Sequence, residues 1–381
     1  MIEPKALASD TATFPHAMLR EIYEQPQALA ATIERYVPGG SSTAETFQPV
    51  VDAIGRRERL VIAASGSSRH AGLAAEIMLE DLAGVPVDVE YASEYTYRST
   101  HALQNPGVVV VSQSGETADT LAALREAKAR GLATVAITNN ASSSMATEAS
   151  ASLPTFAGIE RAIPATKSFT TQLAVLYSLA LHLARVRGRM TQQATEAYGR
   201  QLREIPWLIQ AALPGWQKQI EALTPQLADS STLLYLGRAA HYAIAREGAL
   251  KLKESAYLNA EGYPSGELKH GPNALVSKEA PLIMIATVEI GNPDSLLRYS
   301  KVLQLMKDMR EQGARIVALA TEGDREVPRY SDSCLFIPAS NDLLSTILEV
   351  VPLQLLAYTL AISRGIDVDR PRNLVKAVVE E

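Results

Sequence analysis

The chain reads as α/β, with two tandem doubly wound parallel-sheet domains, one in each half. Short, continuously apolar runs alternate with helix-length stretches, the first runs end in turns rich in serine and glycine, and the same order recurs in the second half. Apolar runs without polar alternation belong to parallel strands covered on both faces. Two such sets in series predict two sheets rather than one.

Leu60-Val61-Ile62-Ala63-Ala64 is the first strand run; it ends in Ser65-Gly66-Ser67-Ser68. A helical pattern follows, with Ala71, Ala74, Ile77 and Met78 on one face, and Gly84 stops it. Gly107-Val108-Val109-Val110-Val111 is the next run and ends in Ser112-Gln113-Ser114-Gly115. A helix is predicted from Thr117 to Arg130, then a strand over 133–138 and a weaker one over 151–156. The second half starts with strand Leu233–Arg238 and a long helix over 241–258. Strand Leu282–Ala286, helix 294–312, strand Ile316–Ala320 and strand Leu335–Ile337 complete it. The domain plan is a helical lead over 1–40 that carries one amphipathic helix at 17–37, a first domain over 41–188 and a linker over 189–226. The linker reads as charged helix broken by Pro206 and Pro214. A second domain covers 227–366, and a tail over 367–381 has little sheet character.

Composition narrows the function classes. The chain has 381 residues, 47% of them hydrophobic and 20% charged, with a net charge of -6. That size and balance suit a globular protein with two cores. No basic block argues for nucleic acid. The one cysteine, Cys334, lies in an apolar run and reads as a buried strand residue. The start lacks a signal-peptide pattern, and the apolar stretches near 172–186 and 343–362 are interrupted by polar side chains such as His182 and Glu349. The expectation is a cytoplasmic protein with no membrane segment. His16, His70, His101, His182 and His241 form no metal-ligand spacing.

Chemistry concentrates in three places. In open α/β sheets, ligands sit beyond the carboxyl ends of the strands. Two polar loops lie there, Ser65–Ser68 and Ser112–Thr117, each leading into a helix N-terminus. Unpaired N–H groups and hydroxyls suit a phosphate monoester, and neither loop has the lysine of a nucleotide loop. Helix capping alone would explain one such loop; two on neighbouring strands argue for a ligand. Glu247, Lys251 and Glu254 are spaced i, i+4, i+7 and share one helix face. That spacing fits a solvated ion-pair stripe, or an acid–base group in a cleft if the apolar rest of the helix is buried. His270 sits in a loop shaped by Gly266, Gly271 and Pro272, where an imidazole could transfer protons.

These segments resemble the SIS (sugar isomerase) family, which has flavodoxin-like domains. Within it they are most similar to the isomerase part of glucosamine-6-phosphate synthases and to stand-alone deaminases. The resemblance rests on Ser112–Thr117, Glu247–Glu254, Gly266–Pro272 and Pro371–Lys376, with Glu21–Pro26 near the start. It implies that Ser68, Ser112, Gln113, Ser114 and Thr117 bind a sugar phosphate. It implies Glu254 as the C1/C2 proton shuttle, His270 as the ring-opening group reaching a neighbouring subunit, and Lys376 as a tail residue that closes over the substrate. Glu247 and Lys251 would organise that lysine and the acid–base helix. A homodimer follows, with no metal or organic cofactor, because the substrate's own carbonyl or imine takes up the electrons.

Two departures point toward deamination. No cysteine lies near Met1, so glutamine hydrolysis by an amino-terminal cysteine is not expected. Ser67-Ser68-Arg69-His70-Ala71-Gly72 and Ala165-Thr166-Lys167-Ser168 are more similar to the deaminases, the synthases having serine where Ala165 stands. The expected reaction is glucosamine 6-phosphate plus water to fructose 6-phosphate plus ammonia. Synthesis from ammonia or a partner glutaminase, a fructosamine-phosphate deglycase and a non-catalytic sugar-phosphate sensor are the alternatives.

Overall fold

The computed structural model describes residues 14–37, 41–97 and 105–378. Residues 1–13 and 38–40 of the predicted lead, His101, and 379–381 of the tail lie outside the described residues. Helices α1 (Ala17–Tyr23), α2 (Gln25–Tyr36) and α3 (Ser41–Ile54) come first. The first domain then runs β1 (Leu60–Ala64), α4 (Gly66–Met78), β2 (Val87–Tyr91), α5 (Ala92–Tyr95), β3 (Gly107–Ser112), α6 (Ala118–Ala129), β4 (Thr134–Thr138), α7 (Ser144–Glu148), β5 (Ala151–Pro154) and α8 (Lys167–Val186). Helix α9 (Gln192–Leu227) leads into the second domain. There β6 (Thr232–Gly237), α10 (Ala240–Ala256), β7 (Asn259–Pro264), β8 (Leu282–Ala286), α11 (Pro293–Glu311), β9 (Ile316–Thr321), β10 (Ser333–Ile337) and α12 (Asp342–Ser363) follow.

Each domain holds a five-stranded sheet, in the orders β2-β1-β3-β4-β5 and β10-β9-β8-β6-β7. Every neighbouring pair is parallel. Read from the other edge, the second order is the first one again. The strand order therefore reverses between β1 and β3, and again between β6 and β8. A crevice opens at such a point because the connections on its two sides leave for opposite faces.

Strands β2 and β7 were not expected. Both are edge strands in their sheets, with most residues only half-buried. Their sequences, Val-Asp-Val-Glu-Tyr and Asn-Ala-Glu-Gly-Tyr-Pro, lack the continuous apolar signature because one rim meets solvent. Cys334 lies on β10, also an edge strand, so it is half-buried rather than enclosed; burial still pushes its thiol up to about 12.

The expected single lead helix is two. Pro26 has no N–H to give the Ile22 carbonyl, and the Gln25 side chain donates to that carbonyl instead at 3.0 Å. The expected break at Pro206 and Pro214 does not occur. Helix α9 continues through both, and through Pro225. A proline inside a helix costs about 3 kcal/mol. Leu202, Ile205, Ile209, Leu213, Trp216, Ile220 and Leu223 are buried along the helix, and each buried side chain of this kind returns roughly 1.5–3 kcal/mol. The helix packs against α2 and α12, so tertiary burial outweighs local propensity. Helix α12 is long and apolar enough to cross a membrane, yet it is almost wholly buried in the protein as a core helix.

Candidate active site

Helix α10 belongs to the second domain and packs on α4 of the first. The Glu247–Lys251–Glu254 stripe lies at that contact and is not a solvated face. Glu247 and Lys251 are fully buried, while Glu254 keeps 22% of its side chain exposed. Lys251 Nζ donates to Glu254 Oε2 at 2.6 Å and to Ser67 Oγ at 3.1 Å, and lies 3.4 Å from Glu247 Oε1. Ser67 Oγ donates to Glu247 Oε1 at 2.8 Å, and His70 Nδ1 lies 2.8 Å from Glu247 Oε2. One ammonium thus holds two carboxylates, and two groups from the start of α4 complete the set. Burial pushes the Glu247 carboxyl up, but Lys251, with His70 and Ser67, holds it below its ordinary value. The same two glutamates raise Lys251 against the opposing effect of burial.

The first hydroxyl loop meets this set through Ser67, and the second stands on the adjacent strand. Ala64 at the end of β1 is in register with Val111 of β3, so the Ser65 and Ser112 turns are neighbours. Ser112 Oγ is 2.9 Å from Thr117 Oγ1 and 3.5 Å from Ser114 Oγ, and accepts from Gly115 N at 3.2 Å. Ser114 Oγ accepts from Glu116 N at 3.1 Å. Gln113 is held by its backbone, its carbonyl accepting from Asn139 N at 3.0 Å. Gly115 has φ +70°, and a Cβ there would meet Ser143 Oγ at 2.1 Å, so only glycine closes this loop. Neither Ser65 nor Thr117 caps its helix through its side chain. Ser68 Oγ accepts from Gln172 Nε2 of α8 at 3.0 Å.

The tail reaches the same region. Tyr257, just after α10, accepts Arg372 N at its hydroxyl (2.7 Å) and carries the Arg372 guanidinium over its ring at 4.3 Å. Farther on, Lys376 Nζ donates to Glu160 Oε2 and to the Ala162 carbonyl, both at 2.6 Å. Val378 O accepts from Ala118 N, the first amide of α6, at 3.0 Å. The tail therefore touches the residue that caps α10, the 160–162 segment and the first amide of α6. His270 ends a 3-10 turn, Ser265–His270, and is exposed. Among the described residues no hydrogen bond or ion pair joins it to the Glu247–Lys251–Glu254 set.

Sequence reasoning missed Glu160, Gln172 and the part played by His70 and Ser67. The Glu160 side chain is buried and accepts from Thr166 N (2.9 Å), Ser168 N (3.0 Å), Ser168 Oγ (2.7 Å) and Lys376. Burial raises its carboxyl, but Lys376 and these donors hold it below the ordinary value. It lies in an irregular stretch, where no periodicity marks a residue as inward-facing. Glu21 of the lead also turns inward, accepting from Arg161 N at 2.6 Å and Ala162 N at 3.1 Å.

Two parallel α/β domains, with hydroxyl loops at one switch point and a buried Glu–Lys–Glu set from the facing domain, define the class of protein. The SIS domain family matches residues 54–182 and 226–364, and the chain belongs to that family. It is 40% identical over 374 residues to the isomerizing glutamine–fructose-6-phosphate aminotransferase of Chlorobaculum tepidum, a match that covers 97% of this chain and 59% of that protein. The chain spans about three fifths of the length of such curated relatives. Among solved structures, the C-terminal domain of glucosamine-fructose-6-phosphate aminotransferase from Francisella tularensis superposes with a TM-score of 0.84 at 34% identity, covering 94% of this chain and 99% of that one. Glucosamine-6-phosphate deaminase from Thermotoga maritima superposes with a TM-score of 0.71 at 26% identity, covering 95% and 99%.

Proposed function

We propose that the chain moves a proton between C1 and C2 of a 6-phosphorylated amino sugar and releases its nitrogen. Glucosamine 6-phosphate and water would give fructose 6-phosphate and ammonia. The observation that carries this reading is Glu254: a carboxylate with an outlet, fixed at 2.6 Å by a buried ammonium, in the domain facing the hydroxyl loops. Ser68, Ser112, Gln113, Ser114 and Thr117 would hold the phosphate near the start of α6. Glu254 would take the C2 proton and return it at C1, turning the open-chain aldose amine into a ketose imine that water hydrolyses. A positioned carboxylate base of this kind contributes roughly 10²–10⁴-fold. Glu247 and Lys251 would hold Glu254 in place. His270, exposed in its own subunit, would open the sugar ring of a second copy, making a homodimer the working unit. Lys376 would leave Glu160 to meet the keto sugar, where an amine can form a Schiff base. No group beyond these is needed to accept electrons, because the C1 carbonyl of the open-chain sugar takes them up as the C2 proton leaves.

The test is to supply glucosamine 6-phosphate and follow ammonia and fructose 6-phosphate together. Equal release of both, lost in Glu254→Gln, supports the proposal; turnover unchanged in that variant overturns it. A second reading is favoured by the higher identity to the aminotransferases: the same site would run toward glucosamine 6-phosphate from fructose 6-phosphate and ammonia. Fructose 6-phosphate with an ammonium salt, and separately with glutamine, measures that direction. A phosphorylated fructosamine in the same panel separates a deglycase, and binding without turnover of any of them would indicate a sensor.

A further inference from the structure

About a quarter turn around α10 from Glu247, Lys251 and Glu254, the helix presents Arg246, Leu250 and Lys253. With Gly66, Arg69 and Tyr91 these line a separate cavity of about 150 Å³. Arg69 is 91% buried, its relative exposure being 9%. Its guanidinium lies over the Tyr91 ring, 3.7 Å from the centroid. Stacking occupies the face of the guanidinium and leaves its N–H edges free to bind in the plane. Its Nε and Nη1 are buried and have no hydrogen-bond partner among the described residues. Arg246 is tethered to the same tyrosine, donating to Tyr91 Oη at 3.3 Å and to Tyr242 Oη at 3.1 Å. Two guanidiniums are thus drawn to one ring. Burial disfavours the charged form of Arg69, and the Arg246 charge adds to that. Lys253 brings a third cation, against the single lining carboxylate of Glu261, 3.4 Å from it.

We infer that this cavity, which borders the first serine loop at Gly66 but is lined by none of the serine or threonine hydroxyls, is a second anion site, and that it takes a small dianionic oxyanion of phosphate type. Three cations facing one carboxylate suit a dianion better than a monocarboxylate, and the volume admits a phosphoryl group but no nucleotide. The site would communicate with the acid–base set through His70, which lines the cavity and lies 2.8 Å from Glu247 Oε2. The inference does not depend on which reaction the neighbouring site performs.

Inorganic phosphate, titrated calorimetrically into the whole chain in a buffer free of other oxyanions, tests it. The wild type is expected to bind two phosphates. Ser112→Ala with Ser114→Ala should weaken one and leave the other. Arg69→Met and Arg246→Met should each weaken that remaining one by at least tenfold, the usual cost of a lost charged hydrogen bond. Melting curves establish that the variants fold; should Arg69→Met not fold, Arg246→Met, at a half-exposed position, decides. A single phosphate in the wild type, abolished by the serine changes, overturns the inference. So does a second phosphate that binds both arginine variants as tightly as the wild type.

Discussion

In the first domain the strands ending at Ala64 and Ser112 open into loops of hydroxyls. In the second, the corresponding strands β6 and β8 lead to His241 and Thr287, whose side chains are buried in an ion network. His241 Nδ1 lies 2.8 Å from both oxygens of Glu349, and Nε2 is 3.5 Å from Asp342 Oδ2. Thr287 Oγ1 donates to Glu349 Oε1 at 2.6 Å, and Arg298 bonds both the Thr287 carbonyl (2.8 Å) and Asp342. One strand order makes two crevices. One ends in hydroxyl loops and the other in buried, paired charge. Each set keeps one partly exposed carboxylate, Glu254 at 22% and Asp342 at 19%; Glu254 is held by a single lysine, Asp342 by Arg298 with His241 beside it. Topology supplies the place, and the side chains at two strand ends decide whether it is a site or a plug.

That contrast can be broken at several points. The largest effect is expected at Glu254→Gln: turnover should fall roughly 10²–10⁴-fold, with the melting temperature close to wild type, because the residue is partly exposed. A comparable loss of stability would mean that Glu254 belongs to the plug-like class. His241→Gln should do the opposite, leaving Glu349 buried without its partner and costing about 3–5 kcal/mol in denaturant unfolding. The folded fraction should keep most of its activity.

A pH series sharpens the comparison. Glu247 is held below its ordinary value of 4.5, so Lys251 contributes stability above that pH which is lost as pH falls through the depressed value. Lys251→Met should cost about 3–5 kcal/mol at neutral pH, and its deficit should shrink below pH 4.5. His241 is raised above 6.5: burial lowers it, but Glu349 and Asp342 more than reverse this. Its contribution is complete below pH 6.5 and fades as pH rises through the raised value, so the His241→Gln deficit should shrink toward alkali. Two deficits that close in the same direction would contradict the assignment. The smallest effect is expected at Ser114→Ala, where one hydrogen bond to a charged phosphate is worth about 1.5–3 kcal/mol; KM should rise by roughly ten- to a hundredfold with kcat little changed.

The inner strands were legible because burial on both faces leaves one kind of residue, and Val108–Val111 admits no other reading. The sequence by itself also determined that Glu247, Lys251 and Glu254 share a face, since helical periodicity is a local property. It did not determine that the face is buried. That depended on α4 arriving with Ser67 and His70, a contact between residues about 180 positions apart. Edge strands β2 and β7 escaped notice because pairing along one rim needs no apolar signature. The prolines of α9 misled because a local penalty was outweighed by burial against distant helices. Glu160 became visible only when the tail delivered Lys376 to it. Local chemistry sets which residues can share an element; how charge is buried and paired is decided by elements that meet only in three dimensions, because Coulomb and desolvation energies depend on distance in space and not on separation along the chain.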